Sequence, residues 1–392
     1  MGSLRAGTAA EAGLRPERLD VARGLLRRHV AAGRTPTLVA AVARHGVIAF
    51  QEAFGQQFPD GPPAAVDNII PVASLTKAVT ATLTMCLVED GEVGVNSRVT
   101  DYLPELAAGD NDDVLVHHLL THTHGWDDDV LLELTARRRT AGELKVLPPH
   151  GDVVRHYWLN PGWDAPRTYR AGELMCYGNY GYQLLGDIIE RVSGVDIEEF
   201  ARQRLFDPLG MSSTRFVLTD ELRRRLAVRP PGIPYGPDQE NSYSKNHFEQ
   251  TCHAAAGLYS NALDMLAFGQ MILDRGMRDG VRVLSPAAID TMTSNRLDGI
   301  PAMIGGRRHA ESGYGYGWVV RTYEAWRYFG GATVPIGSIS HPGSGGTCIW
   351  IDPFHGLVGF CAEFVTEMSD DLEPLSWVEN RFEDVIASAI VD

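Results

Sequence analysis

The sequence predicts an α+β protein built from two lobes with a cleft between them. Three observations carry this expectation. Short apolar runs with strand character lie near both ends of the chain, at 37–54 and 316–364. The stretch from 96 to 300 shows helical spacing of apolar residues, broken by long polar connections. Amphipathic segments at 14–32 and 375–390 bracket the whole. Strands from the two ends can bury their apolar faces by joining one antiparallel sheet, with the terminal helices on a face. The expected division is a discontinuous sheet lobe, 1–95 with 301–392, and a helical lobe, 96–300. With 392 residues the chain is long enough for both.

Each element has its own signal. Residues 14–32 place Leu19, Ala22, Leu25, Leu26 and Val30 on one helical stripe. Thr37–Ala43 and Val47–Phe54 flank Arg44-His45-Gly46, which reads as a hairpin around a glycine turn. A helix is expected to open at Ser74 and to stop near Glu89, where Asp90-Gly91 follows. Val114–Leu120, Tyr180–Val192, Ile197–Leu205 and Ala262–Leu273 are the clearest helices of the middle. Tyr316–Arg321, Gly337–His341, Thr347–Ile351 and Leu357–Phe364 read as strands, and Leu375–Ile390 as a closing helix. The segment 126–170 reads as a long loop near the cleft, where Trp126, Trp158 and Trp163 could shape a pocket.

Composition narrows the function. Apolar residues make up 44% and charged residues 22%, as in soluble globular proteins. A net charge of -15 disfavours nucleic acid and anionic membranes as partners. The runs Arg137-Arg138-Arg139 and Arg223-Arg224-Arg225 read as solvated helix faces. Residues 1–30 hold no apolar signal-peptide core, and no stretch has the length of a membrane span. Five scattered cysteines form no CxxC pair, so neither a disulfide framework nor a zinc site is expected. A cytoplasmic, reducing setting is the simplest expectation, with no cofactor.

The chemistry starts from lysine. Only three lysines occur, and two follow a serine by three residues: Ser74-Leu75-Thr76-Lys77 and Ser242-Tyr243-Ser244-Lys245. On a helix, i and i+3 share a face, so Lys77 would stand behind the Ser74 hydroxyl. Serine becomes a nucleophile when a base takes its proton, and a buried lysine can be that base once neutral. At average residue usage, chance supplies about one such pair in a chain of this length. The second pair lies among Pro230, Pro231, Pro234 and Pro237, which argue against a helix there.

Two further stretches fit Ser74. Tyr177-Gly178-Asn179 precedes a helix, and His341-Pro342-Gly343-Ser344-Gly345-Gly346 joins two strands. A phenol relays protons, an amide holds both a lysine and a carbonyl, and a glycine-rich strand edge presents backbone N–H groups to an oxyanion. The order Ser-x-x-Lys, Tyr-x-Asn, His-x-Gly resembles the serine β-lactamase and penicillin-binding-protein superfamily. The similarity is to its class C-like branch of family VIII carboxylesterases, D-amino-acid peptidases and acyltransferases. Leu119–Gly125, Tyr177–Gly194, Pro208–Thr214 and Ala256–Ser260 are similar to further segments of that branch. The resemblance extends over about residues 14–390.

The resemblance implies a β-lactamase/transpeptidase-like fold and a role for each matching residue. Ser74 would be acylated, and Lys77 would activate it, alone or with Tyr177. Tyr177 would pass the proton to the leaving group, and Asn179 would position Lys77 and the acyl group. His341 would polarise or orient Tyr177. The backbone N–H groups of Ser74 and Ser344 would form the oxyanion hole. Gly343, Trp126 and Trp163 are candidate substrate contacts. The expected reaction takes a small-molecule ester or amide as acyl donor. Water is the first acceptor expected, and an amine or alcohol the alternative; a binding module on the same fold is a further alternative. Tyr259-Ser260-Asn261 repeats the Tyr-x-Asn pattern but reads as structural, as do His117-His118 and the His122, His124 pair, which lack an acidic partner for a metal.

Two departures stand out. Gly178 replaces the usual Ser or Ala of the second motif. Pro342 stands where relatives carry a hydroxyl, and His341 where many carry a lysine. Those groups hold a substrate carboxylate, so a neutral or differently anchored acyl donor is expected.

Overall fold

The computed structural model describes residues 4–109, 111–144, 154–229, 251–304, 307–323, 330–365 and 377–391. Its centre is a seven-stranded sheet. The strands are β1 (Arg5–Ala6), β2 (Thr37–Arg44), β3 (Val47–Gly55), β4 (Val319–Val320), β5 (Ile339–Gly343), β6 (Thr347–Asp352) and β7 (Leu357–Glu363). Their spatial order is β1-β3-β2-β7-β6-β5-β4. All pairings are antiparallel except the short edge strand β1, which runs parallel to β3. The two ends of the chain thus meet at the β2–β7 pairing, with Ala40 opposite Cys361.

β2 is apolar at every position from Leu38 to Ala43 because both of its faces are covered. Leu38, Ala40 and Val42 face one core, whereas Val39, Ala41 and Ala43 face another. On the first face lie the terminal helices α1 (Pro16–Ala31) and α7 (Glu379–Ala387), bringing Leu19, Ala22, Leu26, Phe382 and Ile386. On the second lies α6 (Ala262–Leu273), with Met265 and Phe268 in the same core as Ile349, Val358 and Phe360. A strand covered on both sides loses the alternation of a half-exposed one. α6 belongs to the 96–300 stretch in sequence, yet it packs against β2, β6 and β7.

The helical part is organised around α2 (Thr76–Glu89), which is buried at every residue from Thr76 to Leu87. α2 packs on α5 (Tyr180–Ser193), and α5 also meets α3 (Val116–Leu120). The segment read as a loop from 126 to 170 is largely helical where described: α4 spans Asp128–Thr140, and helical turns cover Arg155–Gly162. Asp127 caps α4 by accepting the Asp129 N–H at 2.9 Å. Asp128 and Asp129 occupy its first turn and Arg137–Arg139 its last, as the helix dipole favours. Those end signals outweigh the weak apolar periodicity that made the stretch read as a loop.

Beneath α7 lies an unusual acidic pair. Glu379 and Glu383 are buried one turn apart, and Glu383 accepts the Gly331 N–H at 2.7 Å. Burial raises both carboxyls, Glu383 strongly; the Glu379 charge lifts Glu383 further, whereas hydrogen bonds with Cys348 and Glu383 lower Glu379. A folded pKa above the unfolded one means stability that is complete at acid pH and is lost as pH climbs through the folded value. Glu383→Gln keeps the acceptor for Gly331 and removes the charge. We expect its melting temperature to exceed that of the parent by a few degrees at pH 8 and to match it near pH 4. A gap that is flat with pH would show that ionisation here is unimportant.

Candidate active site

Ser74 stands at the end of a buried approach. Ile70-Pro71 pairs with Tyr259-Ser260, and a 3-10 turn over Ala73–Leu75 then runs directly into α2. Ala73 holds φ at +52°, a conformation unfavourable for any residue with a side chain. The strain sits next to the one residue of that turn that is not fully buried, Ser74. One helical turn on, Lys77 is 0% exposed and brings its Nζ to 3.3 Å from Ser74 Oγ.

Lys77 has three neighbours and a proton count to match. Its Nζ donates to Asn179 Oδ1 at 2.8 Å and to the Ala255 carbonyl at 3.1 Å. Neither of those atoms can donate in return. An ammonium can donate its third proton to Ser74 Oγ, whereas a neutral amine spends both N–H bonds on these two acceptors and turns its lone pair to the Ser74 hydroxyl. Burial pushes the ammonium down to about 7, against the upward pull of the Asp128 carboxylate. The Nζ also lies 4.8 Å from the Tyr177 ring centroid and 5.9 Å from that of Tyr182.

The second motif is placed by its flanks. Met175-Cys176 pairs with Ala302-Met303, and the Cys176 N–H donates to the His122 carbonyl at 2.8 Å. α5 then begins, and Asp128 caps it from across the site. Its carboxylate accepts the Asn179 N–H at 2.5 Å and the Tyr180 N–H at 3.1 Å. A Cβ on Gly178 would come within 2.7 Å of that carboxylate, so the glycine departure leaves room for it. Burial raises the Asp128 carboxyl, while these N–H groups and Lys77 lower it. Nothing in the sequence singled out Asp128, one of three consecutive aspartates in a stretch read as a loop.

The third motif lies close to the second. His341 is fully buried on β5, with its ring centroid 6.3 Å from that of Tyr177. Its Nδ1–H donates to the Pro342 carbonyl at 2.8 Å, which leaves Nε2 to accept from the Tyr314 hydroxyl at 3.3 Å. His122 lies closer to Tyr177, at 4.5 Å between centroids. The Gly178 N–H donates to His122 Nδ1 at 3.4 Å, and His122 Nε2 meets the same Tyr314 hydroxyl at 3.3 Å. Burial holds His341 down to about 3 and His122 well below its ordinary value, so both rings are neutral. Tyr177 therefore rests against a neutral imidazole–phenol chain, in which His341 is one step removed. His124 lies outside it, its Nδ1 accepting the Trp126 N–H at 3.1 Å.

The remaining candidates separate clearly. Gly343 is buried, and a Cβ there would collide with Thr347 Oγ1 and the Val72 carbonyl. Its role is close backbone approach rather than an open substrate contact. Ser344, next in line, is only partly buried. Trp126 is 1% exposed and donates its indole N–H to the Ala165 carbonyl at 3.1 Å, so it is core and not pocket wall. Trp158 is equally buried, whereas Trp163 is partly exposed on the same core. Asn261 caps α6 through the Asp264 N–H at 2.8 Å, and His118 Nδ1 accepts the Leu115 N–H at 3.0 Å. Ser242 and Lys245 lie outside the described residues. Among the described residues, Cys348, Glu379 and Glu383 are the group whose donor atoms come close enough to share a cation. Glu379 and Glu383 lie on α7 and Cys348 on β6, on the side of the sheet away from α6 and α2.

The β-lactamase family model matches residues 22–362. The chain belongs to the β-lactamase family. Among curated relatives, it is 27% identical over 297 residues to the lovastatin esterase of Penicillium rubens, covering 66% of this chain and 68% of that one. It is 26% identical over 286 residues to the ML-236A carboxylate methylbutanoyltransferase of Penicillium citrinum, covering 67% and 66%. Among solved structures, a penicillin-binding protein homologue from Caulobacter crescentus superposes with a TM-score of 0.72 at 21% identity, covering 94% of this chain and 98% of that one. The α+β architecture is thus the β-lactamase fold. Among the described residues, no helix is long and apolar enough to cross a membrane.

Proposed function

We propose that this β-lactamase-family protein is a serine hydrolase that cleaves an ester or amide through an acyl-enzyme on Ser74. The observation that carries the reading is the fully buried Lys77 amine, 3.3 Å from Ser74 Oγ. In its neutral form Lys77 can give its two N–H bonds to Asn179 Oδ1 and the Ala255 carbonyl, which leaves its lone pair for the Ser74 proton. In the first half-reaction the Ser74 O–H proton passes to Lys77 as the Ser74 oxygen bonds to the acyl carbon. Backbone N–H groups of Ser74 and Ser344 receive the oxyanion. The bond to the leaving group then breaks, and Tyr177, supplied through Lys77, gives that group its proton. In the second half-reaction water loses a proton to the same pair, bonds to the acyl carbon, and releases Ser74. Asn179 keeps Lys77 in place through Oδ1 and offers its amide N–H bonds to the acyl group.

The third motif supports a neutral acyl donor, because Pro342 offers no hydroxyl and His341 no charge. Trp163, the one of the three tryptophans that is partly exposed, is the one suited to touching a substrate. Acyl transfer to an amine or alcohol is the second reading, supported by likeness to the methylbutanoyltransferase. It requires the acceptor to outcompete water in the site. Five free thiols fit a reducing, cytoplasmic setting.

The test is intact mass after exposure to p-nitrophenyl acetate, for the parent, Ser74→Ala and Ser242→Ala, with and without an added amine. An acetyl adduct or turnover that vanishes only in Ser74→Ala is the expected result. Amide formed in the presence of amine would favour transfer. An adduct that persists in Ser74→Ala would sink the assignment, and absence of acylation in all three would favour a binding module.

A further inference from the structure

Arg229 grips both sides of the site at which the oxyanion would form. Its side chain is 1% exposed and its guanidinium carbon lies 5.3 Å from the Phe364 ring centroid. Nη1 donates to the Ser344 carbonyl at 2.7 Å, and Nη2 donates to the Pro71 carbonyl at 3.0 Å. The backbone leading to Arg229 is itself anchored: the Ala227 N–H donates to the Ile69 carbonyl at 2.8 Å. One planar fork therefore joins the strand that enters the Ser74 turn to the turn that carries Ser344.

Burying a guanidinium is unfavourable unless its N–H bonds are satisfied. Here the chain has shaped the backbone around it. Gly345 has φ +88°, and a Cβ there would collide with the guanidinium. The Ser344 turn is held on its other side by the Glu363 N–H to the Gly346 carbonyl at 2.8 Å. A separate tie, Thr347 Oγ1 to the Val72 carbonyl at 3.0 Å, joins the same two walls. The walls would stay together without Arg229, but the orientation of the Ser344 peptide would be free to change.

We infer that Arg229 is a positioning residue that sets the separation and aim of the Ser74 and Ser344 N–H groups. It acts on the tetrahedral species and not on the resting substrate. This rests on the acyl-enzyme reading of Ser74. Lysine is a poor substitute, because a point ammonium cannot bond two carbonyls in a fixed plane.

The experiment compares Arg229→Met and Arg229→Lys with the parent on p-nitrophenyl acetate, after active-site titration to correct for folded fraction. A boronic acid probes the tetrahedral state, and Ser74→Ala is run alongside. We expect kcat to fall about 10–100-fold in Arg229→Met, as for loss of one oxyanion donor or somewhat less, with KM within twofold. Boronate affinity should fall in proportion, and Arg229→Lys should recover only part of the loss. Unchanged kcat and boronate affinity in Arg229→Met would overturn the inference. So would a loss confined to melting temperature and titratable sites. If Arg229→Met does not fold, Arg229→Lys decides: reduced kcat with an unchanged melting temperature supports the role, and unchanged kcat overturns it. Turnover or boronate binding retained in Ser74→Ala would instead refute the acyl-enzyme reading itself.

Discussion

Lys77→Met is expected to lower kcat/KM for a simple ester about 10³–10⁴-fold, close to the loss in Ser74→Ala, because a nucleophile and its base act as one unit. The substitution fills the same buried channel but offers neither the lone pair nor the two N–H bonds to Asn179 and Ala255. The double variant should be little worse than either single one. In the parent, the base must be neutral, so kcat/KM should fall tenfold per pH unit below about 7, the value to which burial brings Lys77. Asp128 opposes that shift. Asp128→Asn keeps an acceptor for one of the two α5 N–H groups and removes the charge, so the acid limb should move to lower pH by about one unit. An acid limb that stays fixed in Asp128→Asn, or a Lys77→Met enzyme with more than a tenth of parental activity, would remove Lys77 from the role of base.

Tyr177→Phe should depend on the leaving group. The ring would keep its contact with His122 and its place beneath Lys77. Only the hydroxyl is lost. An alkyl ester or an amide must have its leaving group protonated, and there a loss of about 10²–10⁴-fold is expected. A p-nitrophenyl ester leaves as a stable anion and should lose far less. Equal losses on both substrates would mean that Tyr177 serves the attack of Ser74 and not the departure of the leaving group.

Much of this site is visible in the sequence because its geometry is local. Ser74 and Lys77 share one helical turn, and Asn179 lies two residues from Tyr177, so residue type and spacing already place each pair. The chain ends could be paired as one sheet because β2, β6 and β7 are uninterrupted apolar runs. What stayed hidden is what depends on contact across long sequence separations. Asp128 reaches Asn179 from another helix, and Arg229 reaches Pro71 and Ser344 from a polar stretch that gave no periodic signal. Trp126 was hidden for the opposite reason: an aromatic beside a cleft looks available on paper, and burial decided otherwise.

The meeting of β2 with β7 has a consequence for how the protein is made. A ribosome releases Ser74, Lys77 and Tyr177 well before it releases β5, β6 and β7. Until those last strands dock, β2 and β3 are an open hairpin with one apolar edge exposed, and the Ser344 side of the site does not exist. Contacts between such distant parts of a chain close slowly. The growing polypeptide therefore carries a nucleophile and its base but no finished place for the oxyanion. Competence arrives in a single late event, the closing of the sheet by the C-terminal strands. A nascent or truncated chain ending before β5 should be a trapped, aggregation-prone species and not a slow enzyme.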